Sequence, residues 1–469
     1  MTKSIQHPNL ILGNNLAAWL AALLLIVPLR LPAGEITAHH PDLPRHPLTL
    51  QDCIDIALGL SPKLEASRFD LLAAGEEIRA AQAALWPNLK GSATGEAFSG
   101  ERTGKFGIVL DTGTGGGGVS ANRQVDFAGV GVGSLRLDYP VFKDGSIFGF
   151  NDAPAVEIKR AQSNALAWTA HLTREDVIYR ITQVFVDTVS AQNRVQPIDR
   201  RVALLQRAVD ITREQQQKGL LLPIDVNVVT EQLNDARALS KVIHEQAVAG
   251  YLGLTRLLGL PSSSHIRLNS TLPEPPAPPD AAQLFHTMLA LHPSLQVQRA
   301  KIEKAKQDYR LETFRLYPSV TLHGSALHVT DFDNDAHVLI GGITVDVPIF
   351  DFGAQLDTVR ARRDTYNAEQ ARLGAVGDDL TSDLVTIYQQ IYALSERILT
   401  LQGEIGKLDR DLRVAQSQQQ QGITPPLTAI DAEVVLVGKQ DELNIVQSRR
   451  LLLYADLQKK MGGTWKWIR

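Results

Sequence analysis

The residues able to do chemistry in this chain are few, and none has the companions its chemistry requires. Thr114-Gly-Gly-Gly-Gly-Val has glycines suited to cradling a phosphate, but it lacks the Gly-Lys-Ser/Thr ending and the following helix of a phosphate loop. It reads as an exposed flexible loop. Thr330-Asp-Phe-Asp-Asn-Asp offers calcium-type oxygens without the downstream glycine and bidentate glutamate in register, and reads as a solvated turn. The 12 histidines are scattered, with no His-Glu-x-x-His helix, and no nucleophile elbow is present. The lone Cys53 excludes a disulfide framework and a Cys-based metal site. In Leu50-Gln-Asp-Cys-Ile-Asp it reads as a packed or surface thiol and not a lipid-carrying one. These absences predict a chain that is not an enzyme and carries no cofactor or metal. The near balance of 47 basic and 51 acidic residues, net −4, argues against nucleic acid, which would select a basic stripe.

What the chain does contain is long, periodic structure. Residues 152–218 carry an unbroken 4-3 apolar spacing through Val177, Ile181, Val184, Thr188, Ala191, Val195, Ile198, Val202, Leu205, Val209 and Thr212, the seam of a coiled coil. The spacing returns over residues 352–421 as Leu380, Leu384, Ile387, Ile391, Leu394, Ile398, Leu401, Ile405, Leu408, Leu412 and Ala415, each 203 positions after its counterpart. Two tandem repeats follow. At ~1.5 Å per residue, about 67 helical residues reach roughly 100 Å, too long a rod to bury all its sides within one chain. Pro197 removes one hydrogen bond from the first rod and is read as a kink.

Around the rods the elements fall in order. Residues 1–34, with an apolar run followed by Pro28 and small residues, read as a secretory signal peptide, a retained anchor being the alternative. A polar segment, 35–47, precedes the first repeat, 48–260. Residues 48–85 are expected to form one helix, stopped by Trp86-Pro87, and residues 281–316 another, stopped by Tyr317-Pro318. Ala57-Leu-Gly-Leu-Ser-Pro-Lys-Leu matches Met288-Leu-Ala-Leu-His-Pro-Ser-Leu. After each proline the period drops to two, giving hairpins over 88–139 and 319–347 with one polar face each. Strands of about ten residues suit a tilted bilayer crossing. His323, His328 and His337 lie on or beside them and read as polar residues facing a pore. Both hairpins leave through a shared proline motif, Leu137-Asp-Tyr-Pro-Val-Phe-Lys-Asp-Gly and Val345-Asp-Val-Pro-Ile-Phe-Asp-Phe-Gly, where ladder pairing ends. The long helices finish at Gly219 and Gly422, suited to left-handed caps, and return helices run over 223–259 and 426–461. Residues 261–280, rich in proline, join the first repeat to the second, 281–462, which leaves a tail at 463–469.

This doubled order of helix, hairpin, long helix, glycine turn and return helix resembles the outer-membrane efflux protein family, the TolC-like outer-membrane factors. The resemblance covers roughly residues 48–462. It rests on Leu48-Thr-Leu-Gln-Asp-Cys-Ile-Asp-Ile-Ala-Leu, the two proline-stopped helices, Val347-Pro-Ile-Phe-Asp-Phe-Gly and the glycine turns. It implies a mixed, mainly α fold in which three chains share one transmembrane antiparallel β-barrel and one α-barrel tunnel of coiled-coil helices. Four strands alone leave open edges that lipid does not tolerate. It also implies a passive channel of a tripartite efflux or type I secretion system, set in outer-membrane lipid with a periplasmic tunnel. The chain would then be a homotrimer working with a periplasmic adaptor and an inner-membrane transporter. The adaptor-docking role falls on Gly219, Leu220, Leu221 and Asp225 at one tip and on Gly422, Ile423 and Thr424 at the other; the second tip has no counterpart of Asp225. Family tunnels are narrowed near the tip, a role open here to Glu404, Asp409 and Asp411, for which a solvated helix face is the alternative. A secreted pore-forming toxin and a coiled-coil surface stalk are the competing readings. A soluble monomer would favour the toxin, and a stalk would need no repeated strand pair.

Overall fold

A computed structural model describes residues 46–97, 129–149, 153–220, 222–261, 266–277, 280–330 and 335–467. Residues 1–34, expected to be a signal peptide, the glycine-rich loop, Leu221 and most of the aspartate-rich turn lie outside them.

The helix expected over residues 48–85 is two helices, α1 (Leu50–Leu60) and α2 (Pro62–Ala83). The later one is also split, into α5 (Ala281–Leu291) and α6 (Pro293–Phe314). In both, a proline disfavours the helical region for the residue before it, because the pyrrolidine ring clashes with that residue's backbone. Ser61 sits at ψ 115° and His292 at ψ 128°, both extended. A capping box starts α1: Thr49 Oγ1 accepts from the Asp52 amide at 3.3 Å and Asp52 returns the favour to the Thr49 amide at 2.9 Å. Its buried face is Leu50, Cys53, Ile54 and Ala57, the spacing of one helical stripe. Cys53 is therefore the packed thiol, its pKa pushed up to about 12, first by burial and then by the neighbouring Asp52 charge.

The rods are α3 (Pro154–Gln217) and α7 (Ala354–Gln420), and the return helices are α4 (Pro223–Leu257) and α8 (Pro426–Lys460). α3 runs through Pro197 as one helix. The seam spacing fits α7 closely: its buried residues, Leu384, Ile387, Ile391, Ile398, Leu401, Leu412 and Ala415, all belong to it. α3 buries its seam and a second face as well, with Ile178, Thr182, Phe185, Val186 and Val189. The difference lies in the neighbours, for α3 packs against α1, α2, α4, α6 and α8, whereas α7 packs against α5, α6 and α8. The helices thus form a layer with α7 along one border and α2 with α4 along the other.

Midway along the layer, Leu284 and Met288 of α5, Leu384, Ile387 and Ile391 of α7, and Tyr454, Leu457 and Met461 form a core cluster, covered by Trp465 and Trp467. The connector is anchored close by: the Leu48 amide donates to Arg267 and the Asn269 amide to Leu48, at 2.7 and 2.9 Å.

The strands are β1 (Asn88–Ala97), β2 (Gly129–Lys143), the short β3 (Ser146–Ile147), β4 (Ser319–Thr330) and β5 (Asp335–Asp346). The main sheet is antiparallel in the order β1-β2-β4-β5, with β3 paired to β2.

Candidate functional site

The sheet has two unlike faces. Leu89, Leu135, Leu137, Leu322, Leu339, Ile343 and Val345 are all exposed. Alternation along each strand, with Leu89 opposite Leu137 and Leu322 opposite Ile343, puts them on one side. On the other side Ser92 and Ser134 share a 2.7 Å hydrogen bond, Arg136 donates to Asp138 at 2.9 Å, and Thr344 and His323 share one at 3.2 Å. His323 thus lies on the polar face, but His328 and His337 do not. They occupy opposed positions in register with Leu322 and Leu339, and their rings stack with centroids 4.6 Å apart. Each ring covers part of the other, which tempers the cost of polar rings on an apolar face. Among the described residues no helix is long and apolar enough to cross a membrane.

At the far ends of the rods the two glycine turns have one geometry. Gly219 and Gly422 both have φ 72°, the left-handed region that glycine enters without a Cβ clash. The amides of Gly219 and Leu220 donate to Gln216 and Gln215, each at 2.9 Å, and those of Gly422 and Ile423 to Gln419 and Gln418 at 3.0 and 2.9 Å. This double bond is the Schellman closure of a helix. Asp225 is occupied locally, its Oδ2 accepting from the Leu222 amide at 3.0 Å and so capping α4. What the turns present outward is apolar: Leu220 is 70% exposed and Ile423 66%, and Leu222 and Ile224 beside them are exposed too. Leu222 and Ile224 were not singled out from the sequence. Thr424 is half-buried, its hydroxyl without a hydrogen-bond partner. Just above the second turn, a groove of about 430 Å³ between α3, α7 and α8 is lined by Leu204, Arg207, Gln416, Gln419, Ile430 and Glu433, among others.

The three acidic candidates for a constriction are not brought together. Glu404 accepts ion pairs from Lys439 at 3.0 Å and Arg397 at 3.7 Å, while both cations also pair with Glu442. This four-residue cluster ties α7 to α8 and raises the Arg397 and Lys439 pKa values, mainly through side-chain hydrogen bonds to Glu442 and Glu404 respectively. Asp409 pairs with Arg413 one turn along α7, and Asp411 is exposed.

Comparison with known proteins agrees with this arrangement. The family model described as outer membrane efflux protein matches residues 284–463. No curated protein matches the chain in sequence. Among solved structures, the outer membrane protein VceC of Vibrio cholerae is 18% identical, with a TM-score of 0.69 over 88% of this chain and 96% of its own. A membrane protein of Pseudomonas aeruginosa is 17% identical, with a TM-score of 0.70 over 89% and 90%. The open-state MtrE outer membrane channel of Neisseria gonorrhoeae is 15% identical, with a TM-score of 0.70 over 89% of each chain. At these identities the structures speak for the fold, and the family model adds a likeness over the second half of the chain. Residues 284–463 thus resemble the outer membrane efflux protein family, and the chain shares the fold of these outer-membrane proteins.

Proposed function

We propose that this chain forms a passive homotrimeric exit duct of a tripartite efflux or type I secretion system, receiving drugs, other small molecules or polypeptides from an inner-membrane pump through a periplasmic adaptor. The observation that carries the reading is the sheet: four long strands with one apolar face and two edges, β1 and β5, without a ladder partner among the described residues. Unpaired backbone groups in hydrocarbon cost several kcal/mol each, so such a sheet persists in lipid only inside a closed barrel. Strands from further copies would supply the closure. The doubled order of elements along the chain then reflects an internal duplication, each repeat giving two main strands, one rod and one return helix. No catalytic group is required of such a duct.

The adaptor would dock on the exposed apolar turns at Gly219–Leu220 and Gly422–Ile423, with Leu222 and Ile224 extending the first. Asp225 serves as a helix cap there, and Thr424 lies half-buried beside the second turn. A constriction would draw on Asp411 and Asp409, while Glu404 holds α7 to α8. The test is the native mass of protein extracted in detergent from an isolated outer-membrane fraction, joined to an export assay. Three chains per particle, with export lost and the particle kept in Gly219→Asp and Gly422→Asp variants, is the expected result. A soluble single chain rejects the duct, and unchanged export in both variants rejects the docking assignment.

A further inference from the structure

The apolar face of the sheet ends on a pair of imidazoles. Along β5 and the residues that follow it, Leu339, Ile343, Val345, Val347 and Ile349 are exposed, all at odd positions and so on one side of an extended chain. From Ile349 to Leu339 the chain climbs about 25 Å, at ~3.3 Å per residue and a strand tilt of ~40°, which is the height of the apolar band of an outer-membrane barrel. His337 is the next residue on that side, opposite His328, and only one same-face pair, Thr330 with Asp335, lies beyond it in the ladder. On the channel reading the two rings therefore stand where hydrocarbon gives way to head groups and water. The coordination argued below does not depend on that reading; only its depth in the membrane does.

We propose that His328 and His337 form a two-imidazole site for a divalent transition cation of the Zn²⁺, Cu²⁺ or Ni²⁺ class. Their Nδ1 atoms lie 3.2 Å apart. Two nitrogens bound to one tetrahedral ion at ~2.0 Å are separated by ~3.3 Å, and by ~2.9 Å in a square plane, so the pair already holds the bite of a chelate. In this pair one Nδ1–H donates to the other Nδ1. When an ion binds, the donating ring carries its proton on Nε2 instead, and both Nδ1 lone pairs face the metal. Two neutral imidazoles then coordinate, with no change of oxidation state. The ring planes are 25° from parallel, and the broad χ2 torsion of histidine lets each turn toward a shared ion. Imidazole nitrogen suits these metals, whereas Ca²⁺ and Mg²⁺ select oxygen.

The strand register makes the site. His328 and His337 are directly opposed in the ladder of β4 with β5, and side chains so placed have Cβ atoms about 5 Å apart, near enough for two rings to share one ion. Their neighbours leave room for it. Opposite His328 on β2 stands Gly133, and one same-face pair down the ladder stands Ala326. His323 is on the polar face with Thr344 and takes no part. Among the described residues no third His, Cys, Asp or Glu joins the pair, so water completes the shell. The site is thus an exchangeable clip across the outer end of the hairpin, unlike a structural centre closed by four protein ligands.

The test titrates Zn²⁺ into the detergent-extracted protein, untagged and stripped of metal by chelator, with equilibrium dialysis counting the bound ion. His39 and His40, which adjoin in the sequence, are first changed to Gln to remove a competing pair. One Zn²⁺ per chain is the expected result, lost in His328→Gln and in His337→Gln and kept in His323→Gln. Cu²⁺ bound to the same His39→Gln, His40→Gln protein should show two imidazole nitrogens by electron paramagnetic resonance, a reading that stands even where a further variant fails to assemble. Zn²⁺ held equally by both single variants comes from other histidines and overturns the site. No bound ion, or a Cu²⁺ spectrum with one nitrogen, overturns it too. A soluble single chain that still binds the ion through this pair rejects the duct and leaves the site, and a three-chain particle without the ion does the reverse.

Discussion

The Nε2–H of His292 donates to the carbonyl of Lys460 at 2.7 Å, tying the start of α6 to the end of α8. On its other side, Nδ1 accepts from the Ser294 amide at 3.0 Å. A carbonyl can only accept and an amide can only donate, so this buried ring is held as the neutral Nε2–H tautomer. Burial, the largest cause, lowers its pKa; the Lys460 carbonyl opposes that and the Lys460 charge adds to it. The folded ring thus binds a proton less readily than the unfolded one. Its contribution is constant above the unfolded pKa of ~6.5 and is lost as pH falls below it, with a slope of at most ~1.4 kcal/mol per pH unit until the folded ring protonates. The difference between wild type and His292→Asn in thermal midpoint should therefore change from pH 7.5 to pH 5.5, wild type losing more. Parallel curves would exclude this linkage.

Two left-handed glycines should respond differently to alanine. A Cβ on Gly422 meets open space, so Gly422→Ala bears only the backbone strain of roughly 1–2 kcal/mol. On Gly462, φ 60°, a Cβ falls 2.3 Å from Cδ of Pro293, a rigid ring held at the start of α6. Gly462→Ala adds overpacking of roughly 1–3 kcal/mol to the same strain. Chemical denaturation of the two variants, compared at one protein concentration, checks the order; equal losses would count against the close approach at Pro293.

Among the ion pairs from α3 to α8, burial should decide the effect. Arg194 and Asp441 are joined by two bonds, at 2.5 and 2.9 Å, with both side chains largely covered. Removing one charge leaves the other without a partner in a partly desolvated place, for a loss of about 2 kcal/mol. Arg200, paired with Glu433, is 66% exposed, and Arg200→Ala should cost no more than about 1 kcal/mol. Asp441→Ala and Arg200→Ala denaturation curves measured side by side test the contrast.

Leu135 and Leu137 stand on the exposed apolar face of β2. If that face meets lipid, Leu135→Arg or Leu137→Arg should each lower assembly in the outer membrane, by roughly 2–4 kcal/mol near the bilayer centre. Ser134→Arg, on the polar face, should be tolerated. Outer-membrane levels of the three variants decide, and equal levels for all would reverse the assignment of faces.

The elements themselves were legible in the sequence because their signals are local. The seam spacing marked the residues α7 buries, Gly219 and Gly422 marked the caps, and alternation marked the strands. The break at Ser61-Pro62 and His292-Pro293 was also local in origin, yet it was masked by apolar spacing that continues across the proline. Other features depend on which elements meet. No period reveals that α3 buries a second face while α7, with the same seam, leaves Val385 and Tyr392 open, because that follows from which helices flank each rod. Glu404 looked like one more acidic residue until Arg397, Lys439 and Glu442 arrived from two helices to surround it. The opposition of His328 and His337 was set by the pairing of β4 with β5. Periodicity and caps are properties of a chain a few residues at a time, so sequence alone determined them. Which face is covered, and by what, is a property of residues on separate elements, and only the tertiary structure decided it.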